Sequence, residues 1–396
     1  MKKLTEIALP ASKSIANRAI IINELSYSPY PITNLSDCDD TQVLINIFNS
    51  NDTHFDIGAA GTAMRFLTAF LSKTLGEWHI TGSARMKQRP IKILVDALNE
   101  IGAKITYTEN EGYPPLQIFG SALQGGTIQL NGSVSSQYIS ALMMIAPYTQ
   151  NGLSIELQGE IVSKSYIEMT AAMMRQFGVL VTLDYPNINI HPQNYTPIPF
   201  TVENDWSAAS YWYQWVAVMQ DRTIKLTHLQ KNSLQGDSKI VEIFSRLGVN
   251  TTFRKESVEI APNAHATDRF VYNFVNQPDI AQTVAVTCCL KSIPFKFTGL
   301  QTLKIKETDR IAALISELKK MGFVLQENAE GEVIWNGEKC EIYNNISIKT
   351  YDDHRMAMAF AVAQQKFDKL NIENPEVVTK SYPNFWEEYH KLVVNS

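Results

Sequence analysis

One short pattern recurs four times along the chain and constrains its fold more than any other feature. An amphipathic segment is followed by two polar residues, an apolar residue, a glycine and then alternating residues. It reads Leu98-Asn99-Glu100-Ile101-Gly102, Met174-Arg175-Gln176-Phe177-Gly178, Phe244-Ser245-Arg246-Leu247-Gly248 and Leu318-Lys319-Lys320-Met321-Gly322. Each copy describes a helix that ends in a left-handed glycine cap and passes directly into a strand. A single junction of this kind is commonplace in any α/β protein with well-capped helices. The four glycines, however, lie 76, 70 and 74 residues apart, which points to a repeated mixed α/β unit; 396 residues would hold five or six. No GxGxxG follows a strand, so the units are not βαβ nucleotide-binding folds.

A chain of 396 residues is too long for one ordinary core, and two domains are expected. The stretch from Ile188 to Phe200 is rich in proline and asparagine with little periodicity, and it reads as loop. Helical signals resume at Asp205-Trp206-Ser207-Ala208-Ala209, which puts a domain boundary near 200–205.

The bulk numbers exclude several function classes. With 45% hydrophobic and 19% charged residues, the composition is that of a globular protein. A net charge of -5 argues against a nucleic-acid partner, although a local cationic site can still sit within an acidic whole. Cys38, Cys288, Cys289 and Cys340 show no CxxC spacing, so reduced thiols and a cytoplasmic setting are expected. Cys288 and Cys289 fall in an apolar stretch and are expected to be buried and inert. Glu6 and Pro10 spoil the opening segment as a signal peptide, and no window has the length of a membrane span. The seven histidines form no HExxH and pair with no cysteine, so no metal site is expected. There is no GxSxG elbow.

The chemistry lies where apolar helices begin. Ser12-Lys13-Ser14 opens Ile15–Leu25, with Arg18 in its first turns. Gly58-Ala59-Ala60-Gly61-Thr62 opens Ala63–Leu71, and Ser135-Ser136-Gln137 opens Tyr138–Ile145. Asp352-Asp353-His354-Arg355 opens Met356–Ala363. Helices this apolar are largely buried, so ligands meet them at their ends. Free N–H groups and the positive end of the dipole then favour anions. Simple capping would also place serines and aspartates there. It does not explain Lys13, Arg18, Arg65, Arg310 and Arg355, which the dipole disfavours near an N-terminus; several such cations suggest a shared anion. The Gly61-Thr62 pair lacks the lysine of a P-loop. Candidates for proton transfer are Asp279, Glu307, His354 and the lysines. Taken alone, Asp279 is a helix cap after Pro278, and Glu307 belongs to a solvated charge run, Lys306-Glu307-Thr308-Asp309-Arg310.

Taken in order, these clusters resemble the motifs of the EPSP synthases, within the enolpyruvyl transferases. The resemblance is carried by Pro10-Ala11-Ser12-Lys13-Ser14 through Arg18, Gly61-Thr62-Ala63-Met64-Arg65 and Arg85-Met86-Lys87-Gln88-Arg89-Pro90. It continues through Ser135-Ser136-Gln137, Ser163-Lys164 with Tyr166, Pro278-Asp279 and the Lys306–Arg310 run. Asp353-His354-Arg355-Met356-Ala357 and Lys380 complete it. It implies a two-domain inside-out α/β barrel, each domain built from three βαβαββ repeats. Residues 1–10 plus 205–396 would form one domain and 11–204 the other, with the active site in the cleft between them.

The resemblance further implies transfer of the enolpyruvyl group of phosphoenolpyruvate to the 5-hydroxyl of shikimate-3-phosphate, in the shikimate route to chorismate and the aromatic amino acids. It implies no cofactor, metal, nucleic acid or membrane, and a cytoplasmic monomer is expected. Lys13, Ser14 and Arg18 would contact shikimate-3-phosphate, Ser135, Ser136 and Ser163 its phosphate, and Gln137, Tyr166, Asp279 and Lys306 the rest of it. Phosphoenolpyruvate would meet Lys13, Gly61, Arg85, Gln137, Arg310, His354, Arg355 and Lys380. Asp279 and Glu307 would be the acid–base groups, assisted by Lys13. Three positions depart from the family pattern: Ala59 and Thr302 stand where relatives carry asparagine, and Ala11 where they carry glycine.

Two other readings compete. A UDP-N-acetylglucosamine enolpyruvyl transferase would carry Lys-Asn near the N-terminus and a cysteine or aspartate in the donor loop; here Ser14 follows Lys13, and the Arg85 loop has no cysteine. A catalytically silent anion-binding homologue would have shed some of Lys13, Asp279, Glu307, His354 and Lys380, and all are present.

Overall fold

The computed structural model describes residues 3–255 and 257–394. It divides into two compact units, Met1–Ala11 with Glu203–Ser396, and Ser12–Val202. Strand β1 (Lys3–Ile7) opens the chain in the first unit.

The second unit follows with α1 (Lys13–Leu25), β2 (Ile32–Thr33), α2 (Asp39–Phe48), β3 (His54–Asp56), α3 (Gly61–Lys73), β4 (Glu77–Thr81), α4 (Lys92–Glu100), β5 (Lys104–Tyr107) and β6 (Leu116–Phe119). It continues through β7 (Gly126–Asn131), α5 (Ser136–Ile145), β8 (Leu153–Gln158), α6 (Lys164–Gln176), β9 (Val181–Asp184), β10 (Asn187–Ile190) and β11 (Phe200–Thr201).

Back in the first unit come α7 (Trp206–Met219), β12 (Arg222–Thr227), α8 (Ile240–Ser245), β13 (Val249–Phe253), β14 (Ser257–Pro262), β15 (Phe270–Asn273), α9 (Ala281–Leu290) and β16 (Phe295–Thr298). The chain ends with α10 (Arg310–Lys320), β17 (Gln326–Ala329), β18 (Glu332–Trp335), β19 (Ser347–Ile348), α11 (His354–Ala361), β20 (Asn371–Ile372) and α12 (Phe385–Val393).

Each unit holds two four-stranded sheets and a two-stranded one. The four-stranded sheets share one topology: a parallel pair joined through a helix, then an antiparallel hairpin added to the second strand. The orders are β3-β4-β6-β5 and β7-β8-β10-β9 in one unit, β1-β12-β14-β13 and β15-β16-β18-β17 in the other. That is βαβαββ, with β1 coming before the inserted second unit in the chain. The two-stranded sheets β11-β2 and β19-β20 are the parallel pairs of third, shortened units.

Burial shows which layer is inside. Helices α5, α7, α9 and α11 are buried almost all round, whereas strands such as β8 and β12 alternate between core and surface. Helices apolar on every side must lie at the centre, with the sheets outside them. Trp206, Trp212 and Trp215 of α7 fill the core of the first unit. Among the described residues no helix is long and apolar enough to cross a membrane.

The four glycines of the repeated pattern lie just beyond the ends of α4, α6, α8 and α10, with φ of 104°, 83°, 91° and 89°. Each leads into the hairpin of its sheet, so the pattern marks the second helix of every complete unit. The Ile188–Phe200 stretch is not all loop: β10 runs to Ile190 and β11 begins at Phe200. The strand is hard to see in the sequence because Asn187-Ile188-Asn189-Ile190 pairs asparagine with isoleucine, a partly buried alternation too short to stand out from the prolines after it. Several helices also start earlier than their apolar stretches. Lys13, Gly61, Ser136, Arg310 and His354 are first-turn residues rather than flanks.

Gly102 and Gly178 separate two costs of replacement. A Cβ on Gly102 would meet nothing nearer than 3.4 Å, so Gly102→Ala should cost only the left-handed backbone term, about 1 kcal/mol. A Cβ on Gly178 would lie 2.7 Å from Thr196 Oγ1, so Gly178→Ala should cost roughly 1–2 kcal/mol more. Urea unfolding of both variants checks the order; equal losses would refute it.

Candidate active site

In the second unit the N-terminal turns of five helices converge. Gln137 in the first turn of α5 donates to Thr62 Oγ1 in the first turn of α3, at 3.2 Å. Lys13 at the start of α1 pairs with Asp40 in the first turn of α2, at 3.1 Å. Arg18, one turn into α1, reaches α5 and α6: Nη2 donates to Ser140 Oγ at 3.0 Å and Nε to Thr170 Oγ1 at 2.7 Å. Its Nη1 donates to the Ser14 carbonyl at 2.8 Å, and the guanidinium lies over the rings of Phe66 and Tyr166.

Arg18 is therefore a buried cation whose hydrogen-bond partners are neutral. Burial pushes its pKa down to about 10, which leaves it charged at neutral pH. A charge buried without a counter-charge is costly, and an arriving anion would offset that cost. Serines frame the same region. Ser135 caps α5 by accepting from the Gln137 amide, and Ser136 follows it. Ser163 starts α6 from a left-handed conformation (φ 55°); its carbonyl accepts from the Tyr166 amide, but its hydroxyl makes no capping bond.

Gly61 begins α3 with no side-chain cap. A Cβ there would lie 2.6 Å from Arg89 Nη1, so a guanidinium covers that helix end and would have to move for any larger residue. Arg65 is buried and donates to Gly61 O and Pro90 O. Arg85 is exposed at the head of a short turn, Met86–Gln88.

In the first unit the convergence is tighter and ionic. Asp353 caps α11 by accepting from the Arg355 amide at 2.9 Å, and it is fully buried. Arg310, the first residue of α10, turns its guanidinium into three carboxylates. Nε meets Asp353 Oδ2 at 2.6 Å, Nη1 meets Asp279 Oδ1 at 3.0 Å and Nη2 meets Glu307 Oε2 at 2.8 Å. Arg355 Nη2 meets Asp279 Oδ2 at 3.1 Å, and its Nη1 donates to the Asp279 carbonyl. Lys380 Nζ meets Glu307 Oε1 at 3.0 Å.

Asp279 is thus no cap; it sits in the turn before α9 and serves two arginines. Glu307 is no solvated charge; its side chain is 15% exposed and held by two cations. Both differ from the reading of each residue alone, because the partners arrive from other helices. His354 is buried beside Asp353, at 3.7 Å. Burial works against the charge of Arg310, but Asp353, Glu307 and Asp279 outweigh it and raise its pKa. Burial likewise pushes the Lys306 ammonium down, against the pull of Asp279. Among the described residues no group of three or more His, Cys, Asp or Glu is placed to hold a metal ion.

Sequence reasoning missed Asp40, Arg89, Asp237 and the role of Asp353. Asp353 was visible as a cap, and its position just before His354-Arg355 was the available signal. Asp237, in the turn Gly236–Lys239, offered none. It is 4% exposed and accepts from Ser207 Oγ in the first turn of α7. Burial, and then the negative charge of Asp279, raise its pKa to about 7.

The pH dependence of stability takes its sign from that shift. Unfolded, Asp237 ionises near pH 4; folded, near 7. Its contribution to stability falls as pH rises through that window and is constant above it. Asp237→Asn should therefore be more stable than wild type at pH 8, on the order of a few kcal/mol at most. The gain should shrink towards pH 4. A urea-midpoint difference that does not vary with pH would contradict this.

Buried helices whose N-termini meet clustered cations and carboxylates form the kind of site an anion-handling enzyme needs. The family model described as EPSP synthase (3-phosphoshikimate 1-carboxyvinyltransferase) matches residues 44–389. A 3-phosphoshikimate 1-carboxyvinyltransferase of Bacteroides fragilis is 53% identical over 386 residues, covering 97% of this chain and 94% of that protein. One from Vibrio atlanticus is 36% identical, covering 98% and 96%. The fold matches that of an EPSP synthase from Acinetobacter baumannii with a TM-score of 0.76 at 20% identity, covering 98% and 96%. The chain belongs to the EPSP synthase family and is a transferase.

Proposed function

We propose that this chain transfers the 1-carboxyvinyl group of phosphoenolpyruvate to the 5-hydroxyl of shikimate-3-phosphate, with Asp279 and Glu307 moving the protons. The observation that carries the assignment is the Arg310 cluster. It holds two partly exposed carboxylates, each shared between Arg310 and a second cation, Arg355 or Lys380.

The 5-hydroxyl oxygen attacks C2 of phosphoenolpyruvate and loses its proton, while the methylene carbon gains one. The tetrahedral adduct then loses a methyl proton and expels phosphate, which restores the double bond. Two proton transfers at different atoms suit two carboxylates, with Lys13 assisting. Carboxylates also stabilise the cationic character that develops at C2. Arg310, Arg355, Lys380, Arg85 and His354, with the Gly61 amide, Lys13 and Gln137, would hold phosphoenolpyruvate. Lys13, Ser14, Arg18, Ser135, Ser136, Gln137, Ser163, Tyr166, Asp279 and Lys306 would hold shikimate-3-phosphate. The uncompensated charge of Arg18 and the strained Ser163 support the second set. The reading takes the chain as a cytoplasmic monomer in aromatic amino acid biosynthesis, using no cofactor.

Purified protein should release phosphate from phosphoenolpyruvate only when shikimate-3-phosphate is present. Equal release with UDP-N-acetylglucosamine, or none with either, would sink the reading. Asp279→Ala should lower kcat by at least about a hundredfold while the protein stays folded by circular dichroism; near-normal turnover would remove Asp279 from the mechanism.

A further inference from the structure

Helix α10 carries a buried carboxylate two turns beyond Arg310. Glu317 is fully buried, and its two oxygens are occupied by the segment that leads into α11. Oε1 accepts from the Tyr351 hydroxyl at 2.7 Å. Oε2 accepts from the Lys349 amide at 3.0 Å and pairs with Lys320 Nζ at 2.6 Å. Lys320 also donates to the Ser347 carbonyl at 2.8 Å. Positions 310 and 317 lie seven residues apart, hence on one face of the helix. Helix α10 therefore grips residues 347–353 twice, through Glu317 at the start and through Arg310 on Asp353 at the end.

Between the two grips the backbone is strained. Tyr351 and Asp352 are consecutive non-glycine residues with φ of 54° each. Side chains rarely adopt that conformation, and two in succession persist only when the surroundings impose them. The turn they make sets the direction in which Asp353, His354 and Arg355 enter α11. Burial and the Glu317 carboxylate both push the pKa of the Tyr351 hydroxyl up, so it remains a hydrogen-bond donor to Glu317.

We propose that Glu317 is a positioning residue, which clamps the left-handed Tyr351–Asp352 turn through Tyr351 and Lys349 and thereby aims Arg355 and Asp353. The proposal rests on the assignment of Arg355 to phosphoenolpyruvate. It goes beyond it by placing part of the affinity for that substrate in a carboxylate that touches no ligand.

Glu317→Gln keeps the shape but removes the charge that Lys320, Lys349 and Tyr351 share. Its KM for phosphoenolpyruvate should rise roughly tenfold, with the KM for shikimate-3-phosphate changed by less than about twofold. Hydrogen exchange of the peptide spanning residues 347–356 should quicken. Tyr351→Phe removes the hydroxyl's bond to Glu317 but leaves the carboxylate charged, and should give the same selective shift at about threefold. Asp352→Gly relieves the backbone conflict, so adding it to Glu317→Gln should restore most of the lost affinity.

An unchanged KM for phosphoenolpyruvate, an equal rise in both KM values, or strictly additive effects in the double variant would overturn the clamp. Arg355→Ala, measured in parallel, separates the two ideas. If it leaves the KM for phosphoenolpyruvate unchanged, the site assignment fails, while the exchange rates still judge whether Glu317 holds the turn.

Discussion

The guanidinium of Arg310 holds the first unit's site together. It is 2% exposed, and burial on that scale is costly for a charge without a partner. Asp353, Asp279 and Glu307 resolve the problem, and each belongs to a different part of the chain: the cap of α11, the turn before α9 and the loop before α10. One side chain thus fixes the relative position of three helix starts. Removing any one carboxylate would leave a charge partly unmatched in a dry setting, where losing one member of a pair costs far more than the pair contributes. That asymmetry keeps the constellation intact whether or not it was selected for chemistry.

The two units solve a shared problem in opposite ways. Both bring buried helices together with their N-termini converging, and both therefore accumulate positive potential where the dipoles end. In the first unit aspartates at the helix starts, Asp205, Asp309 and Asp353, absorb part of it. In the second unit the starts of α1, α3, α5 and α6 carry no acidic residue in the first turn, and Arg18 adds a further charge with hydroxyls around it. The capping residues there are serine or alanine rather than aspartate. A doubly charged phosphate is the kind of ligand that such a region accommodates; the carboxylate already there is Asp40, on Lys13.

Much of this was legible in the sequence because it follows from short-range rules. Gly102, Gly178, Gly248 and Gly322 announced the repeat, since only a left-handed cap demands glycine at that point. Cations at helix starts marked the site because they violate the dipole preference. What stayed hidden depends on distance along the chain. Asp279 reads as a cap and Glu307 as a surface charge until Arg310, Arg355 and Lys380 arrive from elsewhere. Asp237 and Asp40 carry no local mark at all. The turn at Tyr351–Asp352 was equally invisible, because neither residue is a glycine and the reason for their conformation lies on α10. Short strands were lost for a different reason: β2, β11, β19 and β20 are two residues each, too brief for any period to register.

Saturation of Arg310 has a chemical consequence under the proposed assignment. An incoming carboxylate or phosphate can bind Arg310 or Arg355 only by competing with residues already there. Asp353 cannot yield, being fully buried and committed to the cap of α11. Asp279 and Glu307 can, since each is 15% exposed at the side chain and shared between two cations. A carboxylate that loses an arginine partner, with a new anion beside it, gains proton affinity on both counts. Binding phosphoenolpyruvate would then draw cations away from two ion-paired carboxylates at the moment the 5-hydroxyl must be deprotonated. The same cations that pair with the carboxylates would be the ones that hold the substrate, so release of the bases and occupancy of the site would be one event.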